Sequence, residues 1–266
     1  MTKVSGTIIL AGGSPAEGEM MKHAFMRGIR ATNLAGVLLA CSLAIRPFSA
    51  VVAQEISVPE KLLFQSNHFS NVKQPITLKY IYRQEAAAPD AFSDDVSVDV
   101  VKPNPDGTAE VAAHFLSGPH EIPIPAIEHA QGNPAILGFL ERDIAEMKRL
   151  TGGATGYFRK RIRLALAAPN VAVRKIEVSF QGRQVPAQEI TIRPYLDDPL
   201  KDRFGKFASK TYVFILSDAV PGSLYRVYTA LDGAAEKSAP AIDASLTIAE
   251  RSAADLKKNA VAANQR

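Results

Sequence analysis

Residues 133–153 read NPAILGFLERDIAEMKRLTGG, and this stretch decides the fold. Asn133 can accept from the first free amides of a helix, and Pro134 takes the first helical position, where an N–H has no partner anyway. Leu137, Leu140, Ile144 and Met147 recur at three- and four-residue spacing. That predicts one buried stripe, with Glu141, Asp143, Glu146 and Arg149 turned away from it. Thr151-Gly152-Gly153 ends the helix. A second helix is predicted directly after, with Phe158, Ile162, Ala165 and Leu166 on one side and Arg159, Lys160, Arg161 and Arg163 spread over the rest.

On both sides of this helical pair the periodicity changes to two. Ile76, Leu78, Tyr80 and Tyr82 alternate, as do Val96, Val98 and Val100, and then Ala109, Val111, Ala113 and Phe115. Residues 103–107, PNPDG, make the turn between the last two runs. Ile176, Val178 and Phe180 form a fourth strand and Ile190 and Ile192 a fifth, joined around Gly182. Residues 212–216 and 224–229 flank Val220-Pro221-Gly222, which suits a type II turn. Strands in hairpin order are antiparallel. The expected fold is therefore α+β: a curved antiparallel sheet of about seven strands covered by the mid-chain helical hairpin.

Pro119, Pro123, Pro125 and Pro134 remove backbone donors, so residues 119–134 read as an irregular segment, and residues 85–90 as a loop. Residues 54–232 are expected to form a single α+β domain. Residues 233–266 are an Ala-rich tail with little apolar content, expected as a loose helix or disordered.

The N-terminal residues 1–53 carry an address. Lys22, Arg27 and Arg30 precede the uncharged apolar run from Leu34 to Ile45, and Val51 and Ala53 stand at −3 and −1 of a small-residue cleavage site before Gln54. Residues 20–53 thus read as a signal peptide, cleaved to give a periplasmic or secreted protein. The apolar run falls short of the about 20 residues needed to span a bilayer, so no stable transmembrane anchor is expected. Residues 1–19 lack this grammar, which makes Met20 or Met21 as good a start as Met1. Cys41, the single cysteine, follows Leu38-Leu39-Ala40 and offers a lesser route, acylation at a lipobox-like site. With cleavage after Ala53 the mature chain has no thiol, so disulfides and thiolate metal sites are ruled out.

The net charge of +4 rests largely on the N-terminus. Five bases and two acids lie in residues 1–53, leaving 26 bases and 25 acids in the rest. That balance excludes a nucleic-acid footprint.

Chemistry-bearing residues are few. Residues 151–156, TGGATG, look like a phosphate loop but follow a helix and lack the lysine that reaches the phosphates. His114, His120, Glu121, Glu128 and His129 cluster in sequence, and a His–carboxylate pair could act as acid and base or hold a metal. Their Pro-rich surroundings and lack of ligand spacing point to solvated loop residues, so neither a cofactor nor a catalytic set is called for. Arg159, Lys160, Arg161 and Arg163 are the strongest surface feature, suited to an anionic envelope lipid or an acidic partner, or else a solvated face answering the acids of the preceding helix. Tyr80, Tyr82, Tyr212, Phe214, Tyr225 and Tyr228 lie on strands, where they line an apolar cavity or fill a core.

The block formed by Asn133-Pro134, residues 139–144 (FLERDI), residues 149–153 (RLTGG) and residues 157–163 (YFRKRIR) resembles one recurring in uncharacterised secreted proteins of proteobacteria. The order of strands, covering helix pair and further strands is also similar to the periplasmic lipoprotein carriers, whose open half-barrel holds acyl chains. That likeness is of fold alone and shares no motif. Three functions remain open. The leading one is an exported, non-enzymatic binding or envelope-maintenance protein holding a lipid or other apolar ligand between sheet and helices. The second is an assembly factor acting on a protein partner through its basic helix. The third is an envelope hydrolase using the His/Glu segment.

Overall fold

The computed structural model describes residues 55–85, 91–232 and 241–250, all within a compact unit that begins at Ala53. The expected signal peptide and Cys41 lie outside the described residues. Among the described residues nine strands make one sheet: β1 (Ile76–Gln84), β2 (Phe92–Pro103), β3 (Ala109–Phe115), β4 (Ile127–Ala130), β5 (Val173–Phe180), β6 (Arg183–Ile192), β7 (Thr211–Leu216), β8 (Leu224–Leu231) and β9 (Ala241–Ile248). Their order is β4-β3-β2-β1-β9-β8-β7-β6-β5, and every neighbouring pair is antiparallel. Two meanders, β1 to β4 and β5 to β9, are thus joined where β9 pairs with β1 through Tyr80↔Ile248 and Tyr82↔Leu246.

Two strands correct the expected seven. β4 lies inside the Pro-rich segment as a four-residue edge strand between Pro125 and Pro134, a position where missing amides cost no ladder bonds. β9 lies inside the expected tail, and is neither helix nor loose: it occupies the middle of the sheet between β1 and β8. Its Ala244, Leu246 and Ile248 alternate onto the core face.

The turns follow from local chemistry. Gln181 and Gly182 both have positive φ, 51° and 72°, the requirement of a two-residue I′ hairpin between β5 and β6. Gly222, between β7 and β8, has φ 74°, and a Cβ there would stand 2.4 Å from Leu78 Cδ1. Its carbonyl accepts from Asn133 Nδ2, so this turn is pressed into the interior.

Before β1 runs an arm. Ser57 and Glu60 form a reciprocal capping box on the short helix α1 (Val58–Glu60), which continues as a π-helical turn over Lys61–Gln65. The hairpin consists of α2 (Pro134–Thr151) and α3 (Thr155–Leu166). Asn133 Oδ1 accepts from Ala135 N at the start of α2, and Gly152 closes it with a left-handed φ of 70°. α2 packs on β2, β3 and β8, and α3 on β6. The buried face of α2 comprises Ile136, Phe139, Leu140, Asp143, Ile144 and Met147. Leu137 therefore leaves the expected stripe and is 48% exposed, whereas Asp143 and Glu146, expected outside, are buried.

Candidate functional site

The His/Glu segment does not assemble. His120 stacks on Phe92 at the start of β2, with ring centroids 4.2 Å apart, while His129 Nδ1 lies 3.4 Å from Asn104 Nδ2, just past the end of the same strand. A strand of that length puts these contacts roughly 35 Å apart. His114, Glu121 and Glu128 are exposed. No group of three or more His, Cys, Asp or Glu side chains that could hold a metal occurs among the described residues.

The side chains that do converge include Tyr212 from the aromatic set and Asp143 from the expected outer face of α2, but Lys210, Asp243 and Tyr195 were not singled out by the sequence. Lys210, with no exposed surface, places Nζ 2.5 Å from Asp143 Oδ1 and 2.8 Å from Asp243 Oδ2. Asp143 Oδ2 accepts from Tyr212 Oη at 2.5 Å, and the Tyr212 and Tyr195 hydroxyls are 3.0 Å apart. Asp243 reaches inward because it is the extra residue of a β-bulge in β9: Thr229 pairs with Ala244 and Ala230 with Ile242. Burial alone would lower the Lys210 pKa, but the Asp143 and Asp243 carboxylates outweigh it and hold the ammonium above its ordinary value. Burial, then Asp143, drives the Tyr212 hydroxyl well up. A protonated lysine and a neutral phenol sealed from solvent tie α2 to the sheet and offer no nucleophile.

The aromatic set divides. Tyr80, Tyr82, Tyr212 and Phe214 are fully buried on the helix side of the sheet, where Tyr82 meets Phe115 and Phe139 at centroid distances of 6.2 and 6.1 Å. They fill the layer beneath the hairpin. Tyr228 lies one residue from Val227 and Thr229, the partners of Phe214 and Tyr212, and so faces the opposite side, beneath the Arg226 guanidinium at 4.9 Å. Tyr225, half-buried, sits at the register shift between β7 and β8. The six residues do not line one common space.

The basic helix is half engaged. Arg159 pairs with Glu141 through Nε and Nη2 at 2.9 and 2.7 Å, and Arg161 Nε lies 2.6 Å from Asp198 Oδ2. Asp143 goes instead to Lys210, and Glu146 to Arg149 and Arg142. Lys160 and Arg163 are exposed, and their side chains have no ion pair or hydrogen bond among the described residues. Three apart on α3, they share a face.

Beside them lies a groove of about 290 Å³ between α2, α3 and the arm. Its floor is apolar, made by Phe64, Leu137, Leu140, Ile144, Ile162 and Leu166, and its rim carries Glu60, Glu141, Arg159 and Arg163. Leu137, the residue that leaves the buried stripe, belongs to this floor, and the Ser57 hydroxyl fixes the arm to α3 by donating to the Leu166 carbonyl at 2.9 Å. No signal in the sequence marks the groove: Leu137 and Leu140 both fit the predicted stripe, and only the packing leaves Leu137 outside it.

No protein-family model matches the chain, and a search of curated proteins finds no match. No described helix is long and apolar enough to cross a membrane.

Proposed function

We propose that the protein is an exported, non-enzymatic binding protein of the bacterial cell envelope that holds one acyl chain bearing an anionic head in the groove between α2, α3 and the arm. The observation that carries this reading is the pairing of an apolar floor with two cations whose side chains have no ion pair among the described residues: Arg163 on the rim and Lys160 one turn before it. At about 290 Å³ the groove is at the small end of ligand sites, which suits one chain rather than a multi-chain lipid. The filled aromatic layer favours this outer groove over the space between sheet and hairpin. The scattering of His120, Glu121, Glu128 and His129 favours binding over hydrolysis.

The test is fluorescence titration with a dansyl-labelled undecyl sulfonate, whose head stays anionic across the working pH range. Binding should saturate, weaken with salt, and fall in both Leu137→Asp and Lys160→Glu/Arg163→Glu. Equal affinity in wild type and both variants would remove the groove reading. Loss in the double variant alone would favour the assembly-factor reading, with an acidic protein partner at the basic helix. Export is tested by N-terminal sequencing of the mature protein, expected to begin at Gln54; a start at Met20 or an acylated Cys41 overturns it.

A further inference from the structure

His68 is buried, 2% exposed, at the junction of the arm and the hairpin. Both of its ring nitrogens meet backbone. Nδ1 accepts from the Asn133 amide at 3.0 Å, which leaves the proton on Nε2, and Nε2 donates to the Leu62 carbonyl at 2.7 Å. Asn133 is the N-cap of α2, and its side chain also donates to the Tyr80 hydroxyl and to the Gly222 carbonyl. The imidazole therefore joins the π-helical turn of the arm to the N-cap of α2, beside a backbone bond from the His68 amide to the Gln131 carbonyl at 2.9 Å that is independent of the ring. These same two pieces supply opposite walls of the groove, Phe64 from one and Leu137 from the other.

A second pocket, about 600 Å³, reaches His68 from outside. Asp218, Lys175, Ser217 and Ser223 also line it. Besides the Leu62 carbonyl, the Asp218 carboxylate from the β7–β8 turn favours a proton on the ring; Lys175 from β5 lines the same pocket. The neighbouring Tyr80 phenol, kept neutral by burial, adds no charge. The amino end of α2 carries the positive pole of the helix and further disfavours a cation at Nδ1.

We propose that His68 is an acid-sensitive latch on the groove. A proton entering through this pocket binds Nδ1, removes the lone pair that accepts from Asn133, and sets two N–H donors against each other. The Nε2 bond to Leu62 survives, so the arm and the start of α2 part at this contact, the groove walls separate, and ligand is released. The burial that holds the His68 pKa below its usual value puts the transition on the acid side of neutrality. This inference rests on the groove reading for its consequence, but not for the latch itself.

The experiment has two arms. In the first, the sulfonate probe is titrated at pH 7.5 and at pH 5.0 with wild type, His68→Gln and Asp218→Asn. Wild-type affinity should fall about five-fold or more between the two pH values, the size of an ordinary coupling between sites. His68→Gln should show no such fall, and Asp218→Asn, in which the ring is harder to protonate, should show a smaller fall than wild type. A fall of equal size in wild type and His68→Gln overturns the latch. In the second arm, NMR follows the His68 ring and the exchange protection of the Asn133 amide in wild type alone. Protection should drop as the ring titrates, and unchanged protection through that titration also overturns the latch. Failure of the probe to bind at either pH removes the groove reading instead and leaves the NMR arm to decide, as it does if His68→Gln does not fold.

Discussion

Asp143 and Lys210 are 67 positions apart in sequence and 2.5 Å apart in the fold, with neither side chain more than 3% exposed. A pair buried this deeply costs several kcal/mol per ion in lost hydration, which its own attraction and hydrogen bonds must offset. Asp243 and the Tyr212 hydroxyl supply the remaining partners.

Lys210→Met should therefore destabilise by about 3–5 kcal/mol, because it leaves two carboxylates facing each other without a cation. Adding Asp143→Leu should recover part of that loss. Urea unfolding of the single and double variants gives the comparison; additive losses would mean the pair is not coupled as described.

Leu140 and Leu137 lie three positions apart on α2, but only Leu140 reaches the core. Leu140→Ala should cost about 2–5 kcal/mol, and Leu137→Ala no more than about 1. Denaturant midpoints shifted equally by the two would place both in the core.

Gly138 faces the ring of Phe115, and a Cβ there would lie 2.3 Å from Cδ2. Helix propensity alone would make Gly138→Ala stabilising by about 1 kcal/mol. The clash should reverse the sign, with a net loss of about 1–3 kcal/mol, since Phe115 is itself fully buried. Thermal unfolding reads the sign directly.

Acid stability should depend on Glu146. Burial pushes its pKa up, but the hydrogen bonds and charge of Arg149, followed by Arg142 and Lys210, outweigh that and hold it below 4.5. A carboxylate depressed in the fold contributes stability that is fully present above its unfolded pKa and is lost as pH falls through the folded value. Wild type should thus lose stability relative to Glu146→Gln between neutral pH and the acid limb below pH 4.5. Parallel stability curves for the two proteins across that window would contradict the assignment.

What was legible in the chain was local. Val96, Val98 and Val100 alternate, and Asn133, Pro134 and Gly152 mark the ends of α2, because those signals lie within a few residues of what they specify. β9 was hidden by its own composition: Ala241, Ala244 and Ser245 have weak strand preference, and the strand forms because β1 and β8 offer edges on either side. Asp143 looked solvent-facing because an aspartate on a helix usually is, and nothing nearby announces Lys210. Of the site, the free cations of α3 could be anticipated by counting, since four bases in five positions cannot all meet one neighbouring helix. The groove and the His68 junction could not, because the arm that completes both lies 65 residues before the Asn133 it contacts.

The position of β9 sets the timing of assembly. A chain leaving the ribosome presents the other eight described strands before residues 241–248 appear. Until then β1 and β8 are open edges of two unjoined meanders, and Asp243 is missing from beside Lys210. Assembly of the native sheet therefore waits for β9, and a premature stop before residue 241 would release two sticky half-sheets rather than a slightly shortened protein.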